Sequence, residues 1–430
     1  MSGALASAAL VSARDATARF LAQHGKSSVD AAATALGLVD LPILPAPILL
    51  DRAARARIAA SSEALTAILA RALAARLATN DDVLAQHLRI PPALAPLVDV
   101  ERARGDAHAP LACVRLDGLL DEATGVLRYI EVQAGDPSGP GWTDLALRAW
   151  CEAGLMDALG AEPDLLATER VRVLRARVPG SSDPRVVHAL PSSSFVWSDH
   201  VCMAAVERAL GLDAHVVEPS ALSLEGDVLL SEAARVDLVV RDTHDEIGGD
   251  HAVAGAATLV AAHARGLPIV NAFSDAILDD KGSFALLFDA EFRVSLDAAE
   301  RTLVDAFVPE THLVDDAARA MARADPRGFV LKPREGYGGF GVVVGEDDPE
   351  ALRAQLDSAR AETHVLQRAI SQVPRAVFVK ARAGIVEAPR IVAFSSWVIG
   401  GRFAGCFARA GEGRVVNVHQ GGGIAPVLFV

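Results

Sequence analysis

The stretch Gly328-Phe-Val-Leu-Lys-Pro-Arg-Glu-Gly-Tyr-Gly-Gly-Phe-Gly-Val-Val-Val-Gly345 decides the fold of this 430-residue chain. Its first apolar run predicts a strand that ends at Lys332, and the apolar run after Gly341 predicts a second strand. Glycines lie between the two strands, and without side chains they let backbone N–H groups approach phosphate oxygens. We therefore predict a glycine flap over phosphates, with Gly336, Tyr337, Gly338, Gly339 and Gly341 at a nucleotide.

Glycine spacing alone is a weak signal, although Gly336, Gly338 and Gly341 match GxGxxG. A protein kinase would need His-Arg-Asp and Asp-Phe-Gly downstream, and neither occurs. A dinucleotide-binding fold would open a helix after the last glycine, whereas Val342-Val-Val continues as a strand. The alternative of a flexible glycine hairpin without a ligand stays open.

Lysine is rare in this chain, since only four of the 41 lysines and arginines are lysine. Two of the four stand in candidate motifs: Lys281 in Leu-Asp-Asp-Lys-Gly-Ser-Phe, and Lys332 before the glycine run. A compact ammonium fits a phosphate site that a broad guanidinium does not, so both are predicted phosphate ligands. The alternative is chance placement, which we assign to Lys26 and Lys380 as surface residues.

Residues 111 to 134 read as a β-hairpin that turns around Glu122-Ala-Thr-Gly125. If the hairpin is centred on Thr124, Asp117 faces Glu131 and Arg115 faces Gln133 on one side of the ribbon. Facing carboxylates repel unless a cation lies between them, and two carboxylates with an amide oxygen suit Mg²⁺. The alternative is a solvated face whose acids pair with arginines.

Three further segments carry weaker signals. Gln367, in Val-Leu-Gln-Arg-Ala-Ile, follows the flap and is a candidate for reading an adenine edge, but this segment alone is uninformative. Arg409 begins a run that ends in the glycines 421 to 423, which suits a phosphoryl contact or a turn equally. The loop His244-Asp-Glu-Ile-Gly-Gly-Asp-His251 is interpreted as polar surface rather than a metal site.

Composition limits the class of protein. At 44.9 kDa, with 51% hydrophobic and 22% charged residues, the chain predicts two or three packed globular regions. A net charge of -14 without a basic patch argues against nucleic acid as a partner. Four cysteines without a CxxC pair fit a reducing cytoplasm. No uninterrupted apolar run approaches the roughly 20 residues that span a bilayer, and no signal peptide is recognised, so we expect a cytoplasmic protein without membrane contact.

Patterning predicts a mixed α/β (α+β) chain in consecutive regions. Residues 1 to 95 have helical periodicity interrupted by the proline-rich connector 41 to 48. Residues 183 to 272 alternate as in βαβ units, which predicts a small parallel sheet. The rest mixes helices (283 to 323, 348 to 361) with strands at 329 to 332, 341 to 344, 364 to 367, 391 to 399 and 403 to 408.

On these motifs the chain resembles the ATP-grasp superfamily, specifically the circularly permuted group that includes the synthetase domain of glutathionylspermidine synthase. Ordinary members place the metal-binding acid and Glu-x-Asn after the lysines. Here Arg115-x-Asp117 and Glu131-x-Gln133 come first, as in the permuted relatives. The resemblance covers about 111 to 430 and departs from the pattern at Gln133, which replaces Asn, and after Gly423, where Lys-Asp is missing.

The resemblance implies ATP and Mg²⁺ as ligands and assigns roles by position. Asp117, Glu131 and Gln133 would hold Mg²⁺, Arg115 would steady an acyl phosphate, and Arg409 would contact phosphate. Lys281 and Lys332 would bind ATP phosphates under the flap 336 to 341, and Gln367 would mark the adenine hinge. The implied regions are a helical N-terminus (1-110), the metal-binding part of the core (111-182), a pre-ATP-grasp-like subdomain (183-272) and the nucleotide-binding lobes (273-430).

Two functions follow from these expectations. The first is an ATP-dependent ligase that joins a small-molecule or peptide carboxylate to an amine acceptor through an acyl phosphate, releasing ADP and phosphate. The alternative is a nucleotide-binding module or regulatory pseudoenzyme without turnover, which Gln133 and the short C-terminus leave open. Neither the two substrates nor the oligomeric state can be read from the residues.

Overall fold

The computed structural model describes residues 8–24, 27–39, 41–105, 111–242, 253–336, 338–382, 384–418 and 421–430. The α-helices of these residues are α1 (Ala8–His24), α2 (Ser27–Ala35), α3 (Arg52–Ala78), α4 (Asp82–His87), α5 (Ala95–Arg104), α6 (Pro140–Glu152), α7 (Leu155–Leu159), α8 (Leu166–Ala176), α9 (Trp197–Ala209), α10 (Ala256–Ala264), α11 (Gly282–Leu286), α12 (Ala290–Ser295), α13 (Ala298–Phe307), α14 (Asp316–Ala324) and α15 (Pro349–Leu356). The strands are β1 (Ile48–Leu50), β2 (Cys113–Leu120), β3 (Leu127–Gln133), β4 (Arg185–Ala189), β5 (Asp213–Val217), β6 (Leu222–Glu225), β7 (Val228–Ser231), β8 (Ala234–Arg235), β9 (Leu238–Arg241), β10 (Ile269–Val270), β11 (Thr311–Leu313), β12 (Phe329–Pro333), β13 (Val343–Val344), β14 (His364–Arg368), β15 (Arg375–Ala381), β16 (Gly384–Ile399), β17 (Arg402–Gly411) and β18 (Gly423–Phe429). The mixed α/β class predicted from the sequence is confirmed, while the boundaries of the four predicted regions remain predictions.

The largest sheet runs in the order β1-β18-β17-β16-β2-β3, with β15 paired to the outer half of β16. The predicted hairpin 111 to 134 is confirmed and forms one edge of this sheet as β2 and β3. Residues 391 to 399 of β16 are buried, and helices α3 and α8 both pack against this strand. The side chains of the hairpin are therefore held on a rigid, well-packed support.

A parallel sheet follows in the order β10-β9-β4-β5, which confirms the predicted βαβ alternation. Helices α9 and α10 are its crossover helices. The small antiparallel sheet β6-β7-β8, inserted between β5 and β9, was not predicted because its strands have only two to four residues. In open parallel sheets, ligands bind outside the carboxyl ends of the strands. The carboxyl ends of β4, β5, β9 and β10 are therefore the edge at which a ligand site is expected.

The glycine run belongs to a separate antiparallel sheet, ordered β11-β14-β12-β13. The predicted strands at 329 to 332 and 364 to 367 are confirmed as β12 and β14, whereas the strand predicted at 341 to 344 is short (Val343–Val344). Helices are present within the predicted range 283 to 323 as α11 to α14, but the unpredicted strand β11 interrupts them. Pro309 cannot continue α13, and residues Thr311–Leu313 leave the helix to pair with β14.

Strands β15 and β18 were not predicted. Strand β18 contains Pro426, although proline cannot donate to a sheet ladder. In the structure Pro426 is the last residue of β18 that pairs with β17, and the parallel pairing with β1 begins at the next residue, Val427. The proline-rich connector before β1 contains no helix, but it bends at residues 42, 45 and 46 rather than running straight, and it leads into β1 of the central sheet.

Helix α3 is the long element of the helical N-terminal region. Asp51 is the N-cap of this helix, and its side chain accepts from the N–H of Ala54. The helix buries Leu65, Ile68 and Leu69 in the core. In the part of the chain that the structure describes, α3 is the helix long and apolar enough to cross a membrane by length and composition alone. Half of its apolar window is buried inside the fold.

Candidate functional site

A cleft of about 820 Å³ lies between the hairpin edge of the central sheet, the glycine-loop sheet and the carboxyl edge of the parallel sheet. The predicted site residues that line it are Arg115, Asp117, Glu131, Gln133, Lys281, Lys332, Gly336, Gly338, Gly339, Gln367 and Arg409. Arg115 and Lys281, which are 166 positions apart in sequence, thus face one cavity. Tyr337 lies outside the described residues, as does the loop 244 to 251.

The predicted hairpin register is confirmed at the site, where Asp117 pairs with Glu131 and Arg115 with Gln133. A bulge makes this possible, because Gly118 pairs with Tyr129 and leaves Ile130 as the extra residue. Without the bulge, Asp117 would face Ile130. Gly118 is required there, since a Cβ at this position would lie 2.8 Å from the carbonyl oxygen of Arg128.

Asp117 is buried and accepts four donors. Its Oδ1 accepts from Arg115 Nε at 2.9 Å and Ser395 Oγ at 2.7 Å, and its Oδ2 accepts from Arg115 Nη2 at 3.0 Å and Arg409 Nη2 at 2.8 Å. Burial alone would raise the pKa of Asp117, but the charges of Arg115 and Arg409 outweigh it and leave the pKa lowered. Asp117 is therefore ionised and holds both guanidinium groups at the cleft.

Lys281 immediately precedes α11 and lies beside Glu131, with 3.3 Å between Nζ and Oε1. Its Nζ also donates to the carbonyl oxygen of Gly336 at 2.9 Å. One predicted phosphate ligand thus contacts the glycine loop directly, and the loop and this lysine share a wall of the cleft.

Lys332 ends the buried part of β12 and donates to Gln367 Oε1 at 2.6 Å and to the carbonyl oxygen of Ile130 at 3.3 Å. Burial lowers the pKa of Lys332 to about 8, and the negative charge of Glu131 opposes this effect. The amide of Gln367 is itself fixed, because its Nε2 donates to Thr311 Oγ1 at 2.9 Å. In this structure the side chain of Gln367 positions Lys332, and its predicted role at an adenine hinge stays a prediction.

The glycine loop uses backbone conformations that favour glycine. Gly336, Gly338, Gly339 and Gly341 have φ values of 104, 72, 75 and 72°. A Cβ at Gly341 would also approach Pro333 Cγ to 2.8 Å. Phe340, at the loop tip, is 67% exposed and lines the cleft, so the loop presents an apolar side chain at the cavity mouth.

A buried ion pair that the sequence did not reveal anchors the loop. The guanidinium of Arg334 donates to both carboxylate oxygens of Asp280 at 2.8 Å and to the carbonyl oxygens of His87 and Ala361. Arg89 donates to Asp280 at 3.0 Å and to Glu335 at 2.6 Å. Because Asp280 precedes Lys281, this pair fixes the lysine relative to the glycine loop.

The oxygen ligands predicted for Mg²⁺ fit a hard cation in part. Glu131 and Gln133 bring a carboxylate and an amide to the cleft, joined by one contact of 3.4 Å from Gln133 Nε2 to Glu131 Oε1. A carboxylate has about four lone-pair positions, and those of Asp117 are filled by nitrogen and hydroxyl donors. No group of three or more His, Cys, Asp or Glu side chains suited to a metal ion occurs within the described ranges.

The parallel sheet meets the hairpin through Asn271. Its Nδ2 donates to the carbonyl oxygens of Cys113 at 3.1 Å and Ala134 at 2.7 Å, the residues at the ends of β2 and β3. Arg241, which ends β9, donates to the carbonyl oxygens of Asn271 and Ala272. The carboxyl edge of the parallel sheet is thereby fixed against the candidate site.

No protein-family model matches the chain. A Frankia alni protein named "Putative glutamate--cysteine ligase 2-3" is 32% identical over 216 residues, which cover 47% of this chain and 23% of that protein. The chain therefore spans less than a quarter of the length of this relative.

The fold matches that of a glutathione synthetase like-effector (GSS30) from Globodera pallida, with a TM-score of 0.61, 13% identity, and coverage of 98% of this chain and 97% of that one. At this identity the match shows a common fold alone. A structure titled "Putative gamma-glutamylcysteine synthetase" from Methylobacillus flagellatus KT overlaps 79% of this chain and 85% of that one, at 12% identity and a TM-score of 0.43, which is too low to support an argument.

Proposed function

We propose that the chain is an ATP-dependent carboxylate–amine ligase with a circularly permuted ATP-grasp fold, similar to the synthetase domain of glutathionylspermidine synthase. The observation that carries the proposal is the convergence of two buried lysines and two arginines on one cleft beside Glu131. Four cations in one cavity suit a polyanionic nucleotide and a carboxylate together. The Frankia alni relative and the glutathione synthetase-like fold agree with this class.

In the first step, a carboxylate oxygen of the acid attacks the γ-phosphorus of ATP and the bond to ADP breaks. Lys281 and Lys332, which line the cleft beside the glycine loop, would hold the phosphates, and the loop would cover them. Charge grows on the transferred phosphoryl oxygens, and fixed cations in a water-poor cleft stabilise it most effectively. Lys332 is effective because the neutral amide of Gln367, rather than a carboxylate, is its closest side-chain partner.

In the second step, the amine nitrogen attacks the acyl carbon and phosphate leaves. Arg115 and Arg409, both held by Asp117, would stabilise the negative charge that develops on the oxygen of the tetrahedral intermediate. Because Asp117 fixes them before substrate arrives, they need no reorganisation during the reaction. Asp117 is thus a positioning residue for the two arginines.

Bound Mg²⁺ would neutralise the nucleotide phosphates, and Glu131 and Gln133 are the residues that would hold it. Asp117 can join them only if one arginine contact is exchanged for the ion. The early position of the hairpin and the later position of both lysines support the permuted order.

The first acid and amine to test are L-glutamate and L-cysteine, because the Frankia alni relative carries glutamate--cysteine ligase in its name. Pools of other amino acids, short peptides and polyamines follow. A cytoplasmic location is part of the proposal, and the free thiols of the four cysteines fit it.

The test measures ADP and phosphate release from Mg²⁺–ATP in the presence of each acid with each amine. The proposal expects ADP release that needs both substrates and is lost in Lys332→Met but kept in Lys380→Met, a lysine on the surface paired with Asp30. Release of AMP and diphosphate would contradict the acyl-phosphate route. ATP binding without consumption across all pools would favour the nucleotide-binding module instead.

A further inference from the structure

One part of the cleft is apolar, and the mechanism proposed above does not use it. A cluster of buried aliphatic side chains forms the wall of the cleft there. The members of this cluster that line the cleft are Leu119, Ile370, Ala393 and Val416. They come from β2, the segment after β14, β16 and the connection between β17 and β18. The fold, rather than one local motif, thus produces this apolar wall.

A second apolar wall comes from the sheet of the glycine loop. Val330 of β12 pairs with Val344 of β13, and both residues line the cleft. Paired residues lie on the same face of a sheet, and residues two positions apart on a strand share a face. Val330 therefore lies on the same face as Lys332, about 7 Å along the strand from it. We call the space between the two walls the apolar slot.

Lys332 marks the border between the apolar slot and the predicted phosphate site. Its Nζ donates to the carbonyl oxygen of Ile130 at 3.3 Å, and the side chain of Ile130 packs against the aliphatic cluster. Lys281 instead contacts the glycine loop at Gly336. A nucleotide with its phosphates at the two lysines can therefore place its base in the slot.

Gln372 brings a polar group to this part of the cleft. It lines the cleft two positions after Ile370. Its segment is fixed, because the N–H of Glu122 in the hairpin turn donates to the carbonyl oxygen of Ser371 at 3.1 Å. Gln372 Oε1 is buried and has no hydrogen-bond partner among the described residues. A buried acceptor in this state costs free energy, which a donor on a ligand would recover.

Adenine matches both features of the slot. Its flat ring can pack between aliphatic side chains, and its 6-amino group is a hydrogen-bond donor. Guanine carries an acceptor oxygen at the same ring position. With its oxygen toward the slot, Gln372 would thus favour the base that offers a donor there.

We propose that the apolar slot binds the adenine base of ATP, and that Gln372 Oε1 accepts a hydrogen bond from the 6-amino group. The inference rests on the proposed ATP-dependent function and adds the residue that selects the base. The side chain of Gln367 is already engaged by Lys332 and Thr311, whereas Gln372 has an acceptor to offer.

The experiment compares the binding of ATP with that of purine riboside triphosphate, which lacks only the 6-amino group. Calorimetry with Mg²⁺ and without acid or amine gives both dissociation constants. We expect the wild type to bind ATP about tenfold more tightly than the analogue. In Gln372→Met, ATP affinity should fall about tenfold and that of the analogue should stay within about twofold, so the preference disappears.

Two controls separate base recognition from general effects. Inorganic triphosphate has no base and should bind equally well to the wild type and to Gln372→Met. Gln355→Met, on the exposed face of α15 in the glycine-loop lobe, should behave as the wild type with both nucleotides. Equal affinity of the wild type for the two nucleotides, or a preference kept in Gln372→Met, would overturn the inference.

Val344→Ala tests the slot without touching Gln372. Val344 is half-buried on the edge strand β13, so the fold should tolerate the smaller side chain. The lost contact should weaken ATP and the analogue alike by about fivefold and leave inorganic triphosphate unchanged. Unchanged ATP affinity, or an equal loss with inorganic triphosphate, would show that the base lies elsewhere.

Failure of the ligase function gives a different result. The chain would then bind ATP in preference to the analogue but would release no ADP with any acid and amine. If instead the ligase reaction occurs with equal kcat/KM for ATP and the analogue, the function stands and the role of Gln372 is overturned.

Discussion

Lys332 Nζ donates to Gln367 Oε1 across 2.6 Å, so the closest side-chain partner of this buried ammonium is a neutral amide. A carboxylate in that position would compensate the charge of Lys332 and reduce its attraction for phosphate. The amide orients the lysine through Thr311 and leaves its positive charge available. Burial lowers the pKa of Lys332 to about 8, from an ordinary value of 10.5.

ATP affinity should therefore depend on pH. Bound phosphate favours the charged lysine, so ATP binds best below pH 8 and more weakly as pH rises through that value, by up to about tenfold per pH unit. Lys332→Met should weaken binding by about 10- to 100-fold at neutral pH and flatten this dependence. Titration calorimetry from pH 6.5 to 9.5 tests both, and Lys380→Met should behave as the wild type. An unchanged pH profile in Lys332→Met would exclude Lys332 as the titrating group.

Gln367→Glu replaces the neutral amide that contacts Lys332 with a carboxylate. The new carboxylate would raise the pKa of Lys332 and compensate its charge, so ATP affinity should fall about tenfold and its decline with pH should move to higher pH. Gln355→Glu is the control, because Gln355 lies on the exposed face of α15 in the same lobe and adds the same charge. Equal effects of the two substitutions on ATP affinity would show a general charge effect rather than the Lys332 contact.

Asp117→Asn tests the positioning role of this residue in the absence of any ligand. Removing the charge leaves two buried guanidinium groups without their common carboxylate, so the free energy of unfolding should fall by about 3 to 5 kcal/mol. Urea unfolding in buffer with a chelator isolates this effect from metal binding. Asp164→Asn breaks the partly exposed pair with Arg55 and should cost at most about 1 kcal/mol. If Asp117 served only as a metal ligand, its variant would instead be as stable as the wild type without metal.

Arg334→Met removes the anchor of the glycine loop without touching the cleft lysines. Asp280 keeps its contact with Arg89 but loses its bidentate partner, so Lys281 and the loop lose their fixed separation. We expect ATP affinity to fall about tenfold, measured by calorimetry, and proteases to cut the loop faster. Arg319→Met removes an arginine that bridges α14 to the carbonyls of residues 356 and 359 in the same lobe. An equal loss of ATP affinity in that variant would point to general destabilisation of the lobe.

The sequence predicted the features that depend on residues close together in the chain, such as the register of the β2–β3 hairpin. Alternation and the turn at 122 to 125 placed Asp117 opposite Glu131, although the bulge at Ile130 that maintains this register needs Gly118 to pack against Arg128 and could not be read from the pattern. The sequence contained one usable signal that was missed. Asp280 directly precedes Lys281, Arg334 follows Lys332 by two positions, and these two residues of opposite charge pair with each other.

What the sequence could not show depends on contacts between distant segments. Arg409 meets Asp117 only because β17, β16 and β2 are neighbours in one sheet. The four contacts of Asp117 were equally hidden, so it was interpreted as a metal ligand rather than as the residue that holds the arginines.

If this cleft activates a carboxylate as its acyl phosphate, one carboxylate oxygen of the acid must end in the released phosphate. The most direct measurement uses an acid labelled with ¹⁸O in its carboxylate, together with ATP, Mg²⁺ and the amine, and follows the label by mass spectrometry. We expect one ¹⁸O atom in each inorganic phosphate released and none in the adenine nucleotide. Label in AMP, or unlabelled phosphate accompanying amide formation, would contradict it.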